Sequence, residues 1–233
     1  MTFNPIHALA DPSNPNSLSK RFRRARMRRV VELIEAIHAE KGEVRIIDLG
    51  GRPEYWAMFD RVMLERCRVH VKLIGFEAGD DGDDPMFTTI VGDACALPQY
   101  PDLAFDLAHS NSVIEHVGDW KHVEAFAREV RRLAPRYYVQ TPYFWFPIEP
   151  HYSAPFFHWR SEGARARRLM RKPLGFSPQA QDVGEAMRDV QDARLLDKTQ
   201  YRYLFPDAAH VDERVAGLTK SLIAVRDQPM PRQ

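Results

Sequence analysis

The sequence is short of cysteine, of charge imbalance and of long apolar runs, and each shortage removes a class of protein. Cys67 and Cys95 are the only cysteines among 233 residues. That is too few for a disulfide framework or a four-thiolate metal site, so reduced thiols are expected. The longest stretch free of Lys, Arg, Asp and Glu is Tyr137–Ile148, twelve residues, against the ~18 that a membrane-spanning helix needs. No basic-then-apolar leader opens the chain, and a cytoplasmic location is the expectation. No H-E-x-x-H occurs among the nine histidines, so no metal site is expected. No G-x-G-x-x-G follows the first strand pattern, which disfavours a nicotinamide cofactor. Lys and Arg total 33 against 32 for Asp and Glu, and a net charge of +1 excludes a uniformly charged polyelectrolyte binder.

What is present is segregated. Lys20–Arg29 holds seven basic residues in ten and Arg160–Lys172 holds six in thirteen, while Glu77–Asp84 carries five acids in eight. Residues 1–17 are rich in Pro, Asn and Ser and read as an arm. Residues 18–233 read as a single domain. It begins with a basic helix over 18–40, in which Met27, Val30, Val31 and Ile34 recur at helical steps. Short apolar runs then predict strands at 44–49, 69–76, 87–91, 104–109 and 137–140. A helix is predicted from Pro53, with Tyr55, Trp56, Phe59, Val62 and Met63 on one face. Another should follow Asp119 as N-cap and stop at Pro135. Residues 151–200 interrupt this alternation, and two further strands are expected near 210–214 and 221–225. Strands alternating with helices imply an α/β fold, its mostly parallel sheet doubly wound with helices on both faces, and a helical insert after the fifth strand.

In such sheets ligands bind beyond the carboxyl ends of the strands. Here those ends carry Asp48-Leu49-Gly50-Gly51, Glu77, Asp93-Ala94 and Asn111-Ser112. An acid ending the second strand can accept two hydrogen bonds from a ribose diol. One ending the third can accept from an adenine amino group, and glycines after the first let the backbone approach a ligand closely. The stretches VRIIDLGG (44–51), LIGFE (73–77), IVGDACALP (90–98), FDLAHSNSVIEHVGDW (105–120) and YYVQTPYFWFPIEPHY (137–152) resemble the class I S-adenosylmethionine-dependent methyltransferases. The likeness is to the small-molecule, type 11 (ubiquinone-methylase-like) group. It implies a Rossmann-like fold, S-adenosylmethionine as cofactor and S-adenosylhomocysteine as product. It further implies that Asp48, Gly50 and Gly51 shape the loop around the methionine part and that Glu77 holds the ribose. Asp93 and Ala94 would meet the adenine, and Asn111 and Ser112 would line the pocket near the sulfonium.

The family commonly has glycines where this chain has Arg52 and Glu54. Arg52 reads either as a bidentate partner for the cofactor carboxylate or as a side chain that narrows the pocket. The second case would leave a noncatalytic binding protein of the same fold. Methyl transfer is an in-line displacement that demands alignment first, and a base only where the acceptor must lose a proton. His116 and His151 are the catalytic candidates, with Glu115 beside them. Phe156, Phe157, His158 and Trp159 are candidates for an aromatic wall on the acceptor side. The acceptor expected is a small, sugar- or lipid-linked molecule. The basic patches fit an anionic acceptor or a membrane surface, with nucleic acid, and hence an RNA methyltransferase, ranked behind them.

Overall fold

The computed structural model describes residues 18–76, 84–175 and 177–228. The arm at 1–17, Glu77 and most of the acidic segment therefore lie outside the described residues. The central strands of the sheet are buried along most of their length, on both faces. β1 (Val44–Leu49), β2 (Val69–Gly75), β3 (Phe87–Val91), β4 (Leu107–Asn111) and β5 (Arg136–Pro142) are parallel neighbours. β8 (Ala209–Val215) and β9 (Leu218–Arg226) form a hairpin, and β9 pairs antiparallel with β5. The order is β3-β2-β1-β4-β5-β9-β8. The chain winds outward from β1 through β2 to β3, then crosses to β4 on the other side. The switch point lies between β1 and β4.

Successive side chains of a strand face opposite ways, and the core divides accordingly. On one face Ile47, Ala108, Tyr137 and Val139 pack with Val123, Phe126 and Val130 of α4 (Trp120–Leu133) and with Tyr201 and Leu204 of α7 (Lys198–Leu204). On the other, Ile46, Val71, Leu107 and Tyr138 pack with Val30, Ile34 and Ile37 of α1 (Leu18–Lys41). The Asp119 carboxylate caps α4 by accepting from the His122 N–H at 3.1 Å. The insert has its own small core of Tyr152, Phe157, Ala166, Leu169, Ala186 and Val190. It is built on a hairpin, β6 (Ile148–Glu149) with β7 (Ala154–Pro155), and on α5 (Glu162–Leu169) and α6 (Val183–Gln191). Among the described residues no helix is long and apolar enough to cross a membrane.

Three expectations need correction. The helix from Pro53 is two short ones, α2 (Pro53–Trp56) and α3 (Arg61–Arg66). The Asp60 carboxylate accepts the Val62 N–H at 3.0 Å and starts α3 afresh, the usual competition between an Asp side chain and a helix interior. Val62 is 72% exposed as a result, while Trp56, Phe59 and Met63 stay buried. β4 begins and ends later than 104–109, because Asp106 is held by Lys41 Nζ at 2.5 Å and the Arg45 N–H at 2.8 Å, and Phe105 bonds the end of α4. Among the described residues no helix joins β2 to β3 or β3 to β4, so the alternation expected there is broken.

Arg226 ties the two halves of this packing together. It is 5% exposed and donates to the carbonyls of Arg131, Ala134 and Pro135 at the end of α4, and to Asp207. Burial alone would raise the Asp207 carboxyl, but hydrogen bonds from Tyr137 and Arg226 outweigh it and hold the group below its ordinary range. A depressed folded-state pKa gives stability that is complete above the unfolded value of about 3.9 and is lost as pH falls through the folded value. Arg226→Met should cost about 3–5 kcal/mol in denaturant unfolding at neutral pH. Asp207→Asn should flatten the acid limb of the stability profile, and an unchanged acid limb would refute the linkage.

Candidate functional site

At the switch point a cavity of about 930 Å³ opens beyond the carboxyl ends of β1, β2 and β4. Its lining includes Asp48, Gly50, Gly51, Arg52, Glu54, Tyr55, Phe76, Gly92, Ala94, Asn111, Ser112 and His116. Most of the residues at the strand ends thus meet around one space. Asp93 is not among the lining residues: its Oδ1 accepts the Cys95 N–H at 2.8 Å and shapes the turn that presents Gly92 and Ala94. Burial and the neighbouring Asp93 carboxylate push the Cys95 thiol up to about 12, so it supplies no thiolate.

The first loop is tightly determined. Gly50 has φ +76°, and a Cβ there would lie 2.5 Å from Val113 on the far side of the switch point. A Cβ on Gly51 would lie 2.1 Å from Asp48 Oδ2. Asp48 is fully buried and accepts from Trp56 Nε1 at 2.8 Å and from His109 Nδ1 at 2.7 Å. His109 Nε2 in turn meets the Tyr55 hydroxyl at 3.2 Å, and the ring stacks on Tyr138. Asp48 therefore shapes the loop through β4 and α2. Nothing in the sequence spacing singled out His109. The signal was a polar side chain on the sheet face that Leu107 and Tyr138 fill with apolar groups.

Arg52 precedes α2 with φ −134°, extended backbone that any residue adopts. The substitution for glycine is thus free of backbone strain. Arg52 is exposed and is one of the residues that line the cavity. On the opposite wall Asn111 Oδ1 accepts from Arg26 of α1 at 3.2 Å, and Ser112 donates to Gln140 at 2.9 Å.

Residues 58–136 match the family model described as a methyltransferase domain. Over that stretch the chain is similar to a methyltransferase domain. The match starts beyond the first loop and ends as β5 begins, so the loop and the insert lie outside it. Among solved structures the chain is similar to 1,6-didemethyltoxoflavin-N1-methyltransferase of Burkholderia thailandensis, a structure containing 1,6-didemethyltoxoflavin and S-adenosylhomocysteine. That similarity is 13% identity over 83% of this chain and 75% of that one, with a TM-score of 0.48. It is also similar to the PH0226 protein of Pyrococcus horikoshii OT3 (15% identity, 98% and 100% covered, TM-score 0.47). An S-adenosylmethionine-dependent methyltransferase of Mesorhizobium loti is 24% identical over 50% of this chain and 54% of that one (TM-score 0.37). No curated protein sequence matches the chain.

The protein carries a second group of polar residues at the edge of its cavity. After β4 a 3-10 turn, Ile114–His116, buries Glu115 and leaves His116 facing the cavity. The Asp192–Leu196 stretch returns from the insert: Arg194 N–H donates to Glu115 O at 2.6 Å, and Asp192 Oδ2 lies 3.1 Å from His116 Nδ1. His151, from the hairpin, sits edge-on to His116 with ring centroids 4.8 Å apart. Its Nδ1 is 2.7 Å from Glu149 Oε1. Burial alone would lower the His151 imidazole, but that hydrogen bond and the nearby Glu149, Glu115 and Asp192 charges outweigh it and raise it. Burial raises the Glu115 carboxyl above the usual carboxylate range. The two catalytic candidates, far apart in sequence, are thus neighbours. The aromatic run divides: Phe157 and His158 are buried, whereas Phe156 and Trp159 are exposed and pack with each other and with Trp145.

Proposed function

We propose that this protein is an S-adenosylmethionine-dependent methyltransferase that acts on a small acceptor, sugar- or lipid-linked, entering from the side of the insert at about 151–200. The observation that carries this is the meeting of His116, which lines the cavity, with His151 of the insert hairpin. In this reading Asp48, Gly50, Gly51 and Arg52 surround the methionine part of the cofactor, and Gly92 and Ala94 flank the adenine. Asp93 acts through its turn, Asn111 and Ser112 stand near the sulfonium, and His116 and His151 act on the acceptor. The ribose role of Glu77 belongs to the same proposal. The exposed Trp145, Phe156 and Trp159 offer flat apolar faces suited to a sugar ring or an isoprenoid. The basic face of α5 suits a phosphate between the two.

S-adenosylhomocysteine titrated calorimetrically should bind one per chain, and transfer of labelled methyl to phosphorylated sugar or polyprenyl acceptors tests the rest. No heat with S-adenosylhomocysteine would remove the cofactor assignment. Arg52 supplies a separate test. A charged hydrogen bond to the cofactor carboxylate is worth ~1.5–3 kcal/mol, so Arg52→Ala should weaken S-adenosylhomocysteine roughly 10- to 100-fold. It should leave methylthioadenosine, which lacks that carboxylate, unaffected. Equal losses for both ligands would deny Arg52 this contact.

A further inference from the structure

Glu115 is 1% exposed, yet its Oε1 has no hydrogen-bond partner among the described residues. Its other oxygen accepts from Thr141 Oγ1 at 2.9 Å. An orphaned carboxylate oxygen in a protein interior is costly and calls for a partner. Two imidazoles stand close to this carboxyl: one ligating atom each from Glu115, His116 and His151 lies within 4.8 Å of the others. Neither ring is free at Nδ1. His116 Nδ1 lies 3.1 Å from Asp192 Oδ2 and 3.2 Å from the Asp192 carbonyl, and His151 Nδ1 lies 2.7 Å from Glu149 Oε1. Carboxylates and carbonyls accept, so Nδ1 carries the hydrogen in each ring and the lone pair is on Nε2. Imidazoles whose Nδ1–H is held by a carboxylate or carbonyl, as Asp192 and Glu149 hold these, are oriented as metal-ligating histidines usually are.

We propose that Glu115, His116 and His151 bind one divalent first-row transition ion of the zinc or manganese class. Two nitrogens and one oxygen suit such an ion better than magnesium or calcium, which prefer oxygen alone. Three protein ligands leave open positions for water or substrate, the pattern of a reactive rather than a structural site. The sequence concealed the set because His151 stands on the insert hairpin, outside any ligand-spaced motif with Glu115-His116.

His116 belongs both to this cluster and to the cofactor cavity, so the ion lies at the border between cofactor and acceptor. This further step rests on the acceptor-side reading above. The acceptor presents a hydroxyl to the open position, where the ion holds it and lowers its pKa, and its proton is released to water. The oxygen then bonds to the methyl carbon as the carbon–sulfur bond breaks. The electron pair stays on sulfur, and the sulfonium becomes a neutral thioether. His116 and His151 act here as ligands and not as proton acceptors.

The test is calorimetric titration of chelator-treated full-length protein with zinc and with manganese chloride, together with the visible spectrum of the cobalt-loaded protein. One ion per chain is expected, and Glu115→Gln and His151→Ala should each weaken binding roughly tenfold or more. His151→Ala alters only a half-buried hairpin residue, so it reads the loss without disturbing the buried carboxyl. Both variants should retain wild-type affinity for S-adenosylhomocysteine. A wild-type protein that takes no ion at millimolar concentration, or variants that bind it as well as wild type, would overturn the metal site. Failure of S-adenosylhomocysteine to bind the wild type would instead strike the cofactor assignment, and the ion stoichiometry would still decide the metal centre by itself.

Discussion

Gly51→Ala is expected to lose about 3 kcal/mol of stability and most of the affinity for S-adenosylhomocysteine. Overpacking in a well-packed interior costs typically 1–3 kcal/mol and occasionally more, and the contact here is at the severe end. The added Cβ would lie 2.1 Å from Asp48 Oδ2, a carboxylate that cannot yield because Trp56 and His109 hold it from the other side. Relief has to come from the loop backbone, which also forms the cavity wall. The clash has one identified partner, so it should show coupling. Gly51→Ala introduced into an Asp48→Ala background should cost far less than in the wild type. Denaturant unfolding of the four chains of this cycle measures it, and simple additivity would show that the loop tolerates the methyl group elsewhere.

Asp48→Ala by itself should cost about 2–6 kcal/mol, because it strands the buried N–H groups of Trp56 and His109 at ~1–3 kcal/mol each. Asp48→Asn should cost far less. The amide oxygen can accept from Trp56, and the amide N–H can donate to His109 Nδ1 once that ring moves its proton to Nε2, where the Tyr55 hydroxyl is able to accept. The contrast between Ala and Asn separates a hydrogen-bonding role from one that depends on charge. Nitrogen chemical shifts of the His109 ring would report the tautomer directly. An Asn variant as unstable as the Ala variant would mean that the negative charge itself is required.

Much of this molecule could be read from its residues in order. The short apolar runs at 44–49, 69–76 and 87–91 became β1, β2 and β3 because buried parallel strands need apolar side chains on both faces. Asp119 and Pro135 bracketed α4 because a cap and a missing N–H act within one turn of the chain. The strand ends also announced where the cavity would open, since position in a doubly wound sheet follows from topology. Signals were lost where a local preference met a tertiary competitor. Asp60 stopped the helix from Pro53, and Asp106 was drawn away by Lys41 and the Arg45 backbone before β4 could start.

By themselves, then, the residues determined the succession of strands, the bounds of the strongest helix and the loop that lines the cavity, for each depends on contacts a few residues apart. Tertiary structure alone decided that Asp48 is held by His109 and Trp56, and that Arg52 stands in extended backbone without strain. It alone brought Glu115, His116 and His151 into one cluster with Asp192 behind them. Those contacts join β1 to β4 and the turn after β4 to the insert, and no spacing rule reaches across such distances in the chain. They form only when the sheet has closed its two cores and the insert has folded back on its own.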